Sequence, residues 1–369
     1  MTQAVNRALP AILLALLGLV AAASPCCRTA KYPEGIYAEV ATNKGPIVLK
    51  LEFESAPMTV ANFVGLAEGT IDNTALSSGR PFFDGTKWHR VVPGHVIQCG
   101  MAAGGKAEGP GYEFPNEIVL PGLDHGRAGM VGMANGGPNT NGSQWYITLG
   151  DRSYLDGDYT VFGSVIAGMA AVMSIVQDDL IESVKIVRVG KKARAFRPTT
   201  ASFKAMVVEA KARVVKADAE KKAREEEFVR TVIPGAVPDQ NGISFVIVKE
   251  GQGRPAEPGG IVRASYAGKA PLAGKTFVST ADEGKPYWGG TPEPFGLTVG
   301  KPCVNPGLDA AIARMKKGEN RLVIVPASQG YGTSGFYARQ KPGEKRFVIS
   351  PNTLLVYEVD VLDIRPPKK

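Results

Sequence analysis

The feature that most constrains this chain is a change of period near its middle. Before residue 190 and after residue 243, apolar residues alternate in short runs broken by Gly and Pro; from Phe203 they recur at helical spacing. Ile47, Leu49, Leu51 and Phe53 alternate with Val48, Lys50 and Glu52, as in a half-buried strand. Ile243, Phe245 and Ile247 do the same with Ser244, Val246 and Val248, and Leu354–Val361 reads as a closing strand. A chain of 369 residues, at roughly 100–200 residues per domain, divides into two or three units. The pattern predicts two β-rich domains joined by a helix. No internal repeat relates them, so they are expected to be different folds.

Within the first, Ala56-Pro57 opens a helical pattern carried by Val60, Phe63, Val64 and Leu66, and Ala167–Asp178 reads as a second helix. Val161–Gly163 and Val184–Val187 are its last strand candidates. Residues 191–202 are basic, carry Pro198 and read as a connector. In 203–231, Phe203, Met206, Val207, Ala210 and Val214 form one stripe; beyond Lys216 the segment is charged all round, and Glu220 with Arg224 and Lys222 with Glu226 sit at pairing distance along a helix. A solvated spacer is expected, and a homodimer through 203–214 is the alternative. Pro234 and Pro238 end the helix.

The N-terminus reads as an export signal. Arg7 is followed by an apolar run from Leu9 to Ala23, interrupted at Gly18, and Ala21-Ala22-Ala23 supplies small residues for cleavage. The run falls short of the ~20 residues of a comfortable span. Residues 1–23 are therefore expected to be a signal peptide and 24–35 a tether, in a periplasmic protein. Membrane contact is expected only if that segment is retained or lipidated at Cys26. Cys26, Cys27, Cys99 and Cys303 are sparse and show no metal-ligand spacing, and His89, His95 and His125 have no Cys nearby. No metal and no cofactor are expected. The net charge of +8 is spread along the chain rather than gathered on a basic face, which argues against nucleic-acid binding.

Two segments carry chemistry. One runs from Phe82 to Gly100 through Trp88-His89-Arg90-Val91-Val92-Pro93-Gly94-His95-Val96-Ile97-Gln98-Cys99. The other runs from Met133 to Ile147 through Ala134-Asn135-Gly136-Gly137-Pro138-Asn139-Thr140-Asn141-Gly142-Ser143-Gln144-Trp145-Tyr146. They set Arg90, Gln98, Asn135 and Gln144 among apolar and aromatic residues. They contain no nucleophile with a base beside it, no carboxylate pair and no phosphate loop. Such a site suits non-covalent chemistry, of which prolyl isomerisation is an example. Its barrier of about 18–20 kcal/mol comes from amide resonance. A guanidinium that donates to the prolyl nitrogen finds a lone pair there only when resonance is broken, so the bond is made mainly in the transition state.

Both segments match the signatures of the cyclophilins, and residues 36–190 resemble that family. The resemblance implies an eight-stranded antiparallel barrel capped by two helices. It implies Arg90 and Gln98 as catalytic residues, a proline pocket of Val96, Tyr146 and Leu155, and contacts to the peptide backbone from Ala134, Asn135 and Gln144. His95, Tyr154 and Tyr159 replace the family's usual Phe, Trp and His around that pocket. His89 is read as structural, Cys99 as a small buried apolar residue, and His125 as a loop residue without a role.

In the second domain, Val262–Gly268, Gly274–Phe277, Pro294-Phe295, Val299–Val304, Pro306–Asp309, Met315–Glu319 and Gly330–Gly332 follow the order of the FKBP-type isomerases. Residues 243–365 resemble that family, which implies a twisted antiparallel sheet around one helix at 306–315, an α+β unit within residues 232–369. The match implies a pit of Tyr266, Phe277, Phe295, Val304 and Tyr357, with Tyr331 donating its hydroxyl to a substrate carbonyl. Val278, Asn305 and Leu308 depart from the family at a buried Asp, an Ile and the aromatic floor, and residues 284–293 and 333–346 lengthen loops. Weak catalysis or peptide binding is expected there. The whole chain is expected to be an exported peptidyl-prolyl isomerase acting on proline-containing unfolded polypeptides, with a holdase-type chaperone as the alternative.

Overall fold

The computed structural model describes residues 32–103, 109–271, 275–280, 294–338 and 346–367. The expected export signal and Cys26 and Cys27 lie outside them.

The first domain is one antiparallel sheet of nine strands: β1 Gly35–Thr42, β2 Ile47–Leu51, β3 Thr86–Lys87, β4 Arg90–Val92, β5 Val96–Cys99, β6 Met130–Asn135, β7 Asn141–Thr148, β8 Val161–Ala167 and β9 Leu180–Val189. Their order is β3-β9-β1-β2-β8-β6-β7-β5-β4. The two ends, β3 and β4, are separated in sequence only by Trp88 and His89, so a bent segment closes the sheet on itself. Nine strands stand where eight were expected because that bend divides one of them. β2 alternates strictly between buried and half-buried residues, as its period requires.

Helix α1, Pro57–Glu68, has Pro in its first turn, where a missing N–H matters least, and ends at Gly69 in the left-handed region at φ 71°. Ala56 cannot cap it. Glu117, from a distant loop, accepts instead from the amides of Met58 at 3.0 Å and Thr59 at 2.6 Å, a carboxylate at the positive end of the helix dipole. Every residue from Met58 to Ala67 is buried. Phe63 meets Phe83 at 5.1 Å and Trp145 at 5.5 Å, and Trp88 meets Trp145 at 5.3 Å. These rings fill the barrel.

The helix expected at 167–178 is only α2, Met169–Ser174, and the expected connector holds a short helix, α3 Lys191–Ala195. Arg188 gathers this corner. It donates two parallel bonds of 2.6 and 2.7 Å to Glu68 and a third of 3.0 Å to the Phe196 carbonyl.

Helix α4 spans Thr200–Val232 and opens with a capping box between Thr199 and Ser202. It is not a free spacer. Phe203 and Ala210 are buried in the core of the first domain, with Met206 and Val207 packed against it. Phe203 rests on Tyr112 at 5.4 Å and Phe114 at 5.6 Å. The residues Phe203, Met206, Val207 and Ala210 of the stripe, read as a spacer face or alternatively a dimer face, pack on the chain's own first domain. At its other end, Phe228 and Val229 pack with Ile233, Ile324 and Val356 of the second domain. Lys221 donates to the Pro351 carbonyl and Thr353, and Glu225 accepts from the Leu354 amide.

The second domain contains β10 Val237–Pro238, β11 Ser244–Lys249, β12 Ile261–Ala270, β13 Lys275–Ser279, β14 Phe295–Thr298, α5 Pro306–Ala313, β15 Asn320–Val325, β16 Phe336–Ala338, β17 Arg346–Ile349 and β18 Leu355–Arg365. The main sheet runs β10-β11-β15-β18-β12-β13, with β14 also on β12. Leu308, Ala311 and Ile312 of α5 enter the core formed with Val323, Val325, Tyr357, Val359 and Val361. Like the expectation at 306–315, the observed helix starts at Pro306; it ends two residues earlier.

Candidate active site

Four strands align the first site. Arg90 on β4 is directly opposite Gln98 on β5, Gln98 is opposite Tyr146 on β7, and Tyr146 is opposite Gly132 on β6. Directly paired residues project from the same face, so these positions form one row across the outside of the barrel. Arg90 Nη1 donates to Gln98 Oε1 at 3.1 Å, and Gln98 Nε2 donates to Gln144 Oε1 at 2.9 Å. The guanidinium is half-buried and its orientation is fixed through two amides. His89, in the bend before β4, sits beside Gln144 and Arg90, and burial lowers its pKa.

Beside Arg90, Val96, Tyr146 and Leu155 form a small buried cluster of their own, with Ala134, Tyr154 and Tyr159 packed around it. It is apolar, separate from the barrel core, and open at its edge through the half-buried tyrosines. Tyr159 meets Tyr146 edge-on at 6.2 Å. His95 stacks on Tyr154 at 6.1 Å, with 3.1 Å between its Nδ1 and the Tyr154 hydroxyl. Two of the three replacements around the pocket therefore bond to each other. Asn135 lies within 3.4–3.5 Å of Asn116, Asn141 and the Asp158 carbonyl, knitting the loops at the rim. On the far side of Gln98 and Gln144, a recess of about 600 Å³ continues along Tyr112, Glu113, Ala134 and Asn135. The candidate residues named from sequence in this domain are thus brought to one face.

Three features escaped sequence reasoning. His125 is fully buried, with Nδ1 2.6 Å from Asp156 and Nε2 2.7 Å from the Tyr146 hydroxyl. Gly132 has its bare Cα under the Tyr146 ring. Tyr112, at the recess, leans on Phe203 from helix α4. A tyrosine at a buried position, whose hydroxyl needs a partner, was the one available signal for the first.

In the second domain, Tyr266 meets Phe295 at 4.9 Å and Tyr357 at 5.9 Å, and Phe277 meets Tyr357 at 5.7 Å. Tyr357, Leu308, Phe277 and Asn305 are buried; Phe295, Val304 and Tyr331 are half-exposed. Asn305 does two things. Its Oδ1 caps α5 by accepting from the Leu308 amide, and its Nδ2 donates to the Tyr357 hydroxyl at 2.8 Å. Tyr331 faces Asn305 and Tyr357 across the pit. Burial raises the pKa of Tyr266 to about 12 and pushes those of Tyr331 and Tyr357 up as well, so all three phenols are neutral. Asp309 shapes the adjoining turn by accepting from the amides of Cys303 and Val304. Val278 is on β13, and its side chain is outside the described residues.

The barrel carries an oriented guanidinium beside a small apolar cluster, with a recess on its flank. The comparisons give the chemistry. A family model described as cyclophilin type peptidyl-prolyl cis-trans isomerase/CLD matches residues 37–191, and one described as FKBP-type peptidyl-prolyl cis-trans isomerase matches residues 252–362. Peptidyl-prolyl cis-trans isomerase A of Mycobacterium tuberculosis is 47% identical over 129 residues, 34% of this chain and 70% of that protein. Peptidyl-prolyl cis-trans isomerase B of Streptomyces anulatus is 41% identical over 136 residues, 36% of this chain and 77% of that one. The Helicobacter pylori peptidyl-prolyl cis-trans isomerase is 38% identical over 150 residues, 40% and 85% of the two chains. The chain belongs to the cyclophilin-type peptidyl-prolyl cis-trans isomerases and carries a second, FKBP-type isomerase domain.

Proposed function

We propose that this isomerase is exported and acts on X-Pro bonds in folding proteins, with most of the chemistry at Arg90. The observation that carries this reading is the hydrogen-bonded row Arg90–Gln98–Gln144 beside the Val96–Tyr146–Leu155 cluster. The cluster takes the pyrrolidine ring and keeps water from the planar, resonance-polarised amide. Gln98 holds Arg90 so that an N–H is aimed at the prolyl nitrogen as it becomes pyramidal. The donor is already oriented, so it need not reorganise at the moment of rotation. Ala134, Asn135 and Gln144 hold the flanking backbone.

The second pit supports a lesser role, peptide binding with weak turnover. Leu308 in place of an aromatic floor and the polar groups of Asn305, Tyr331 and Tyr357 make it less apolar than a site that works by desolvation requires. Export is supported by the Leu9–Ala23 run alone.

The test is X-Pro isomerisation of a proline peptide by the chain lacking residues 1–23, beside Arg90→Ala, with folding checked by circular dichroism. The expected loss is about 10²–10³-fold, as for removal of one preorganised donor. Substantial activity in Arg90→Ala would move the chemistry to the second domain. No activity in the parent, with prevention of aggregation of an unfolded protein intact, would favour the holdase reading.

A further inference from the structure

Tyr146 is the floor of the small cluster beside Arg90, yet its hydroxyl points away from that cluster into the barrel wall. It reaches His125 Nε2 at 2.7 Å, and His125 Nδ1 reaches Asp156 at 2.6 Å. Asp156 also accepts from the His125 backbone amide at 2.8 Å, so one carboxylate fixes both the loop and the ring. The imidazole lies nearly parallel to the phenol ring, 18° apart at 6.0 Å between centroids. Beneath the phenol, Gly132 leaves room: a β-carbon there would be 2.5 Å from Cζ and Oη. His125 is 0% exposed and Tyr146 4% exposed, so water cannot replace either partner.

We infer that His125 is a positioning residue of the proline pocket: held by Asp156, it fixes the Tyr146 ring as the pocket floor, so that the grip on the substrate's prolyl ring depends on a buried Asp156–His125–Tyr146 chain. The inference rests on the reading that the Val96–Tyr146–Leu155 cluster receives that ring.

The chain has a direction. A carboxylate only accepts, so Nδ1 carries a proton. The neutral imidazole then offers a lone pair at Nε2, and the Tyr146 hydroxyl donates to it. Protonating His125 places a second donor on that hydroxyl and leaves its proton with no acceptor over the bare Gly132. The groups facing the imidazole are Asp156 and Asp124 from the loops around it and Tyr146 from β7; Tyr154 and Tyr159 face the phenol. Burial outweighs the two carboxylates and keeps the His125 pKa below its usual value. The neutral form that the chain needs is therefore the form present at neutral pH. It is lost as pH falls through the lowered pKa.

The test is substrate affinity of the full chain for a proline peptide, as KM and by titration, from pH 5 to 8. The parent, His125→Phe, Tyr146→Phe and His95→Phe are compared. His125→Phe is expected to raise KM about tenfold, the effect of orphaning one buried hydroxyl, while kcat changes much less. In the parent, KM rises on the acid side. That rise persists in His95→Phe, which removes the histidine stacked on Tyr154 at the pocket rim, and disappears in Tyr146→Phe, which has no hydroxyl to orphan; a rise that came from His89, beside Gln144, would persist in Tyr146→Phe. An unchanged KM in folded His125→Phe, an acid rise that vanishes in His95→Phe, or one that persists in Tyr146→Phe would each overturn the inference. If His125→Phe does not fold, the other two variants decide. Failure of Arg90→Ala to reduce turnover would instead strike the reading of the pocket as the main active site.

Discussion

The Tyr146 ring lies across the bare Cα of Gly132, its cross-strand partner, so closely that a β-carbon would stand 2.5 Å from Cζ and Oη. A glycine inside a strand weakens the strand and is kept where something must approach closely. Here the approaching group is the floor of the cluster proposed to hold the prolyl ring.

Gly132→Ala is the direct consequence. The added methyl forces the Tyr146 ring up into the pocket and strains a filled site, at about 1–3 kcal/mol of stability. The first domain should still fold, with KM for a proline peptide raised at least tenfold. Kinetics beside a thermal melt checks this. A KM equal to that of the parent would mean that the ring has another place to go.

Phe203 belongs by sequence to the helix after the first domain, and by packing to that domain's core, at 3% exposure. Phe203→Ala should destabilise the first domain by about 3–5 kcal/mol. Because Tyr112 and Phe114 rest on this ring, peptides long enough to occupy the recess should lose more affinity than short ones. Denaturant titration and binding of a short and a long peptide separate the two effects.

In the second pit, the Tyr357 hydroxyl accepts from Asn305 and faces Tyr331. If Tyr331 donates to a substrate carbonyl, as the resemblance implies, Asn305 and Tyr357 set its place in the pit. Tyr357→Phe, made in an Arg90→Ala background, should leave the fold intact and lower the remaining isomerisation and peptide binding several-fold. Asn305→Ala should do the same and, by removing the cap of α5, cost about 1 kcal/mol of stability in addition.

Glu225 is 5% exposed, and burial raises its carboxyl pKa despite the Leu354 amide and the nearby Lys221 and Arg224. The folded chain therefore holds this proton to higher pH than the unfolded chain. Between the ordinary carboxylate value of about 4.3 and the raised one, stability falls as pH rises. Glu225→Gln keeps an acceptor for the Leu354 amide without the buried charge. It should be more stable than the parent at pH 7, and the difference should vanish below about pH 4. Equal stability at both pH values would show that the charge is compensated in place.

Much of the element order and of the first site is written in local sequence. Period-two runs marked β2, β11 and β18, Pro57 and Pro306 marked the starts of two helices, and the two signature segments carried Arg90, Gln98 and Gln144 into one site. These signals are local: a strand's two faces and a helix's first turn are written within a few residues. What only the tertiary structure decided depends on partners far apart along the chain. His125 meets Asp156 and Tyr146 across 31 and 21 residues, Asn305 meets Tyr357 across 52, and Lys221 and Glu225 of α4 reach the 351–354 loop across about 130. The residues concerned looked ordinary, a loop histidine, a strand glycine and a charged helix, because side-chain pairing and close approach carry no period. Barrel closure at Trp88-His89 has the same character: it follows from how nine strands twist around the rings of Phe63, Trp88 and Trp145, and no single strand records it.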